Sequence, residues 1–194
     1  MTSFLSTLRA STATLALMTV LLGAAYPALT TVVLQTAAPR AANGSLVTAK
    51  AGTPVGSALI GQSFDGSEWF WPRPSAAGDG YDGLASGGSN LAADNPDLVS
   101  AVAERQSAAA AADGVAPAEV PADAVTASGS GLDPDISPEY AQQQVTRVAA
   151  ARGLDVATVE SLVADHTQGR ALGFVGEPRV NVLELNLALS QLTP

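Results

Sequence analysis

The sequence predicts an α+β fold in which a single N-terminal transmembrane helix precedes one small α+β domain. Three observations support this prediction. No charged residue occurs between Arg9 and Arg40, Gly- and Pro-bounded strand material follows, and capped helices dominate the rest. We therefore predict a short tail over residues 1–10, a transmembrane helix over 11–35 and a domain over 36–194.

The N-terminal apolar segment is long enough to cross a bilayer. Its core, roughly Leu15 to Leu34, spans the hydrocarbon thickness at about 1.5 Å per residue. A cleaved signal peptide is the alternative, which would make the chain a secreted binding protein after cleavage near Ala38. That reading is disfavoured, because signal peptides carry apolar runs of only about 7–15 residues and Pro39 follows the best cleavage site.

Small and polar residues recur every three or four positions along this helix. They form a stripe that we predict to be a packing face for other membrane helices, since small residues let helices approach closely. The candidate face comprises Thr12, Ala16, Thr19, Gly23, Pro27 and Thr30.

Charge and composition exclude several function classes. After Gln35 the chain carries 8 basic and 18 acidic residues, a net charge of −10, whereas nucleic-acid binding needs a basic surface. No cysteine is present, so thiolate chemistry and disulfides are excluded. His166 is the only histidine, which excludes a multi-histidine metal site.

The first part of the domain alternates strand and loop signals. Asn43 to Phe64 reads as strands and turns, whereas Trp69 to Asn90 is rich in Gly, Pro, Ser and Asp and has no periodicity. A loop of this length is typically functional or ordered by a partner. We predict that it contacts a partner through Trp69, Phe70, Trp71, Arg73 and Tyr81. The alternative is that these aromatic residues only fix the loop to its own core.

Helix signals follow in the second part. Cap residues predict helices from Asn95–Pro96 to about Ala112, from Ser137 to Arg152, and from Asp155 to about Thr167. The last segment alternates like a strand, but Asn181 followed by Glu184 resembles a capping pair, so a helix is favoured there.

The stretch TASGSGLDPDISPEYA, residues 126–141, offers candidate chemistry without a complete site. Ser130, His166 and Asp133 could form a membrane-anchored hydrolase on paper, yet the Gly-x-Ser-x-Gly elbow is absent. No phosphate-binding loop occurs either. Four carboxylates could bind a cation, but their spacing matches no calcium loop and a turn is favoured: Asp79, Asp82, Asp133 and Asp135. We predict neither a catalytic nor a metal site and identify no cofactor-binding residue.

Several long blocks resemble one family. The segments GSALIGQSF, WPRPSAAG, LASGGSNL, DAVTASGSGLDPDISPEYA and GFVGEPRVNVLELNLAL, in this order after one apolar helix, are similar to the C subunit of the Kdp potassium-transporting ATPase. The resemblance covers nearly the whole chain. One departure is Asp135, which occupies a position where many members carry His, so no proton chemistry is assigned to it.

The resemblance implies an accessory subunit of a potassium-transporting P-type ATPase in the cell membrane. Its partners would be a channel-like potassium-binding subunit, an ATP-hydrolysing P-type subunit and a further small membrane subunit. It implies a cytoplasmic N-terminus, an extracytoplasmic domain and a catalytic chaperone that raises the ATP affinity of the ATPase subunit. ATP would act through that partner, potassium would be the transported ion, and we expect the acidic surface to lie near the potassium entrance.

Overall fold

The computed structural model describes residues 2–50 and 52–192; Met1 of the predicted tail and residues 51, 193 and 194 of the predicted domain lie outside the described residues. The chain separates at Leu46 and Val47 into two compact units. The helices are α1 (Thr2–Val20), α2 (Tyr26–Ala37), α3 (Pro39–Ala42), α4 (Pro96–Asp113), α5 (Pro138–Arg152), α6 (Val156–His166) and α7 (Val182–Leu189). The strands are β1 (Leu46–Thr48), β2 (Pro54–Ser57), β3 (Asp135–Ile136), β4 (Thr167–Gln168) and β5 (Arg179–Asn181).

The first unit contains a longer helix than the sequence predicted. Helix already begins at Thr2, and α1 continues through a π-helical turn, Leu21–Ala25, into α2. Residues 3–37 are apolar enough to cross a membrane, and the described part of the chain contains one such helix. A helix from Thr2 is locally permitted, because this region lacks Pro and Gly, and the hydroxyls of Ser6 and Thr7 bond back to the carbonyl of Ser3 within the helix.

The π turn changes the geometry of the predicted packing face. Pro27 lacks an N–H and its ring crowds the preceding turn, which explains why the turn widens and the Tyr26 N–H bonds to the carbonyl of Leu21. A π turn contains more residues than an α turn. Residues spaced by three or four positions on its two sides therefore no longer lie on the same face of the helix. The face therefore divides into Thr12, Ala16 and Thr19 before the turn and Pro27 and Thr30 after it, with Gly23 inside.

The second unit is α+β, as predicted, but its main sheet is not where the sequence placed it. Three short strands pair antiparallel in the order β3-β5-β4, and each lies among the C-terminal helices. The predicted strand region contributes only β1 and β2, and GSALIGQSF leaves the strand after Ser57. Helices α5, α6 and α7 cover the three-stranded sheet and bury Val145, Val148, Val159, Val180, Leu185 and Leu189.

The predicted helix boundaries in this unit are largely confirmed. Asn95 caps α4 through its side chain, and Ser137 caps α5 by accepting the N–H of Tyr140. Gly114 and Gly153 end these helices in left-handed conformation. Asp155 stands at the N-cap of α6 without a side-chain hydrogen bond, so the cap position was right and the predicted capping bond wrong.

The C-terminal segment contains both structures between which the sequence pattern was ambiguous. Arg179–Asn181 is strand β5, and the favoured helix begins directly afterwards at Val182. The side chain of Asn181 accepts the N–H of Glu184, which confirms the capping relation that favoured the helix.

Candidate functional site

The aromatic loop is irregular, as predicted, and two buried amide side chains hold its backbone. Asn186 on α7 accepts the N–H of Phe70 at 2.9 Å and donates to the carbonyl of Phe70 at 2.9 Å. Gln144 on α5 bonds both backbone groups of Trp71 in the same way, at 2.7 and 3.2 Å. These amides replace the neighbouring strand that the loop lacks, because buried backbone groups must be paired.

Arginine side chains cover the two indole rings of the loop. The Arg147 guanidinium lies 3.8 Å from the ring centroid of Trp71, and that of Arg152 lies 4.3 Å from the ring centroid of Trp69. Arg147 also pairs with Asp113 at 2.7 Å, with side-chain exposures of 7% and 0%. Stacking and hydrogen bonds to backbone carbonyls therefore fix the loop to α5, while the ion pair joins α5 to the end of α4.

Tyr81 and Arg73 belong to the same locked structure. The Tyr81 hydroxyl donates a short hydrogen bond to the carbonyl of Arg73, and burial raises the pKa of Tyr81 to about 12. Arg73 pairs with Asp133 at 3.0 Å. Phe70 is fully buried, whereas Trp69, Trp71, Arg73 and Tyr81 are partly exposed. Partner contact by this loop stays a prediction, and its contacts with its own unit account for most of its aromatic surface.

Residues 126–141 line one wall of a charged cavity of about 500 Å³. Two arginines and four carboxylates face it, a net charge of −2: Arg73, Asp123, Asp133, Asp135, Glu177 and Arg179. Asp123 accepts both the N–H and the hydroxyl of Ser137, at 2.6 and 3.0 Å. Burial raises the pKa of Asp135, although Arg179 at 3.0 Å and the amide of Asn181 oppose the shift.

The glycine path into this stretch is sterically required at Gly131. Its φ is +66°, and a Cβ there would approach the N atom of Ala77 and the carbonyl oxygen of Gly87 to 2.6 Å each. The stretch itself forms turn, strand β3 and the start of α5.

The structure does not join the three residues of the hypothetical hydrolase through hydrogen bonds. The Ser130 hydroxyl accepts the N–H of Leu132, Nδ1 of His166 bonds the carbonyl of Leu162, and Asp133 pairs with Arg73. Within residues 2–50 and 52–192, no three carboxylate or imidazole groups converge in an arrangement that could hold a metal ion. Asp82 accepts the N–H of Leu84 as a turn residue.

A second exposed feature was missed by sequence reasoning. Strands β4 and β5 pair as a hairpin whose tip, Ala171–Val175, is closed by two backbone hydrogen bonds between its ends. The tip exposes Leu172, Phe174 and Val175. The sequence did contain a signal for this exposed turn, namely the apolar residues beside the glycines of GFVGEP. That block was used above only as part of the family resemblance. The role of Gln144 and Asn186 in holding the loop was also missed. Each is a polar residue on an otherwise apolar helix face, which was the available signal.

Comparisons with known proteins agree on one family. The family model described as K+-transporting ATPase, c chain (KdpC) matches residues 8–191. The potassium-transporting ATPase KdpC subunit of Kineococcus radiotolerans is 66% identical over 148 residues, which cover 76% of each chain. The KdpC subunits of Beijerinckia indica and Rhodospirillum rubrum are 52% and 51% identical, each over more than 90% of both chains. The chain therefore belongs to the KdpC family, the c chain of the K+-transporting ATPase.

Proposed function

We propose that this chain is a non-catalytic, single-pass subunit that assembles with the channel-like and ATP-hydrolysing subunits of a potassium-transporting P-type ATPase. The observation that carries the proposal is family membership over residues 8–191, together with one N-terminal helix long enough to cross a membrane. A further small membrane subunit completes the proposed complex.

A non-catalytic role fits the chemistry of the candidate side chains. The hydroxyl of Ser130 supports a turn, the only histidine bonds its own helix, and Asp133 neutralises Arg73. Each of these groups satisfies a local structural bond, whereas a nucleophile needs a base in hydrogen-bond reach. ATP and potassium then act at the partner subunits.

The proposed topology places the N-terminus in the cytoplasm and the unit from Val47 onward outside it. A domain outside the membrane cannot touch cytoplasmic ATP, so any effect on ATP affinity must be a coupling free energy carried through the membrane helix or partners. Such coupling is reciprocal. If this subunit raises the affinity of the ATPase subunit for ATP, bound ATP must raise the affinity of the ATPase subunit for this subunit by the same factor.

Co-purification tests the proposal directly. Full-length tagged chain is expressed with the channel-like and P-type subunits of the same organism and isolated in detergent. We expect all subunits to be retained and the KM for ATP of the ATPase to be lower with this chain than without it. A chain that retains neither subunit contradicts the assembly role, and an unchanged KM contradicts the chaperone role alone.

Cysteine labelling tests the topology. The sequence contains no cysteine, so an introduced cysteine is the only thiol of this chain that can be labelled. Leu84 is fully exposed and Ser6 lies near the start of α1, so Leu84→Cys and Ser6→Cys report the two sides. An impermeant maleimide should label intact cells at position 84 and not at position 6. The reverse pattern contradicts the orientation, and a mature protein that lacks residue 6 supports the secreted alternative.

The membrane-helix face has its own test. Thr19→Leu and Gly23→Leu each add bulk at the predicted contact and should reduce recovery of the complex in detergent, with Leu15→Ile as a control on the bulky side. The hydroxyl of Thr19 bonds the carbonyl of Leu15 in its own helix, so the expected loss comes from steric fit and not from a lost bond between helices. Full recovery with both variants would contradict the predicted face.

A further inference from the structure

The β4–β5 hairpin exposes apolar side chains that the fold of its own unit does not use. Leu172, Phe174 and Val175 have exposed fractions of 86%, 74% and 50%. They are neighbours at one turn, which the pairing of Ala171 with Val175 closes. Contiguous apolar side chains on a protruding tip are typical of an interaction site.

The turn itself does not require a leucine. Leu172 and Gly173 have φ values of +54° and +82°, and the Phe174 N–H bonds the carbonyl of Ala171, as in a type I′ turn. Asn, Asp and Gly are the residues preferred at both central positions of this turn. Leucine is unfavourable in left-handed conformation, so folding of the hairpin does not explain Leu172.

The charged cavity continues directly from the hairpin. Glu177, Pro178 and Arg179 follow the tip and line the cavity, whose two arginines and four carboxylates carry a net charge of −2. A surface that combines an apolar tip with this negative cavity is complementary to a surface with an apolar pocket and basic side chains. Anionic lipid and a second copy of this acidic chain would both be repelled.

We propose that the hairpin tip and the charged cavity form one docking surface for another protein subunit of the same transport complex. Leu172 and Phe174 fill an apolar pocket of that subunit, and a Lys or Arg of the subunit approaches Glu177 at the cavity rim. The inference rests on the proposed function, because it presumes that this chain assembles with other subunits.

The first test replaces the apolar tip without weakening the turn. Leu172→Asn supplies the residue that the turn prefers, and Phe174→Ser is added to it. Leu59→Asn is the control, since Leu59 is 62% exposed in a segment outside the hairpin and the aromatic loop. The dissociation constant of the detergent-solubilised full chain for the remaining subunits should rise at least about tenfold in the double variant. The control should stay within about twofold.

The second test addresses charge. Glu177→Lys reverses a rim charge in an exposed ion pair with Arg170, whereas Glu104→Lys makes the same change on α4, away from the cavity. The first variant should weaken binding about three- to tenfold at low salt and reduce its salt dependence, and the second should do so much less.

The outcomes separate this inference from the proposed function. Failure of the wild-type chain to bind the other subunits contradicts the proposed function, whereas wild-type binding that neither the tip variant nor Glu177→Lys changes overturns the docking surface alone. Loss of vesicle binding or of self-association in these variants, with subunit binding intact, also overturns it. The fluorescence of Trp69 and Trp71, the two tryptophans of the chain, checks that each variant stays folded.

Discussion

The aromatic loop and the hairpin tip both combine glycine with large apolar side chains, yet they differ in where those side chains lie. In the loop, Phe70 is fully buried and the backbone of Phe70 and Trp71 is bonded by Asn186 and Gln144. In the tip, backbone bonds close the turn while the side chains of Leu172 and Phe174 remain exposed. Residue types alone therefore do not distinguish a loop that packs inward from one that presents a surface.

The two regions also contain ion pairs of opposite character. Arg147 and Asp113, beneath the loop, have side-chain exposures of 7% and 0%, whereas Arg170 and Glu177, beside the tip, have 46% and 79%. Solvent screens the exposed pair, while the buried pair needs each partner to neutralise the other. The loop should therefore depend on its ion pair and the hairpin should not.

Asp113→Ala should have the largest effect on stability. It leaves the buried guanidinium of Arg147 unpaired and removes an acceptor from Gln143, so we expect a loss of about 3–5 kcal/mol in the free energy of unfolding. Urea unfolding of the full chain in detergent, followed by tryptophan fluorescence, measures it. The matched Glu177→Ala change should cost less than about 1 kcal/mol, and equal losses would contradict the contrast.

Gln144→Leu should have the next largest effect, because it leaves both backbone groups of Trp71 without their partner. Each unsatisfied buried group costs about 1–3 kcal/mol, and both contacts to Trp71 are only partly buried, so we expect a loss in the lower part of the range for two groups, roughly 2–4 kcal/mol, and a changed emission from the loop tryptophans. Gln142→Leu, on the same helix but exposed, is the control and should change stability by under about 0.5 kcal/mol. A native emission spectrum in the first variant would show that the amide does not hold the loop.

The sequence allowed the helices to be predicted because their signals are local. Asn95, Ser137, Gly114 and Gly153 act within one helical turn, and their predicted positions agree with the structure. The three-stranded sheet could not be predicted, since β3 and β4 have two residues each and Asp135 of β3 pairs with Asn181 of β5, 46 residues away. Such short strands carry no measurable alternation.

The candidate site shows the same limit. The aromatic loop was found from composition, but its partners Gln144 and Asn186 lie 73 and 116 residues away. The charged cavity joins Arg73, Asp123, Asp135 and Arg179, which only the tertiary fold brings together. The π turn was missed because Pro27 was counted as a small residue and its missing N–H was not considered.

The smallest predicted effect concerns pH and the cavity wall that links the two regions. Burial raises the pKa of Asp135 above its ordinary value of 3.8, so the folded state holds this proton more tightly than the unfolded state. The contribution of Asp135 to stability is then greatest below its ordinary pKa and declines as pH rises through the folded pKa.

Asp135→Asn removes this titration. The wild type should therefore lose stability relative to the variant as pH rises through the acid range, and the difference in stability should be constant above that range. Urea midpoints at a series of pH values measure the difference, with Asp165→Asn on the exposed face of α6 as the control. If instead the stability of the wild type increases relative to that of Asp135→Asn as pH rises, the ion pair with Arg179 outweighs the effect of burial on this carboxyl group.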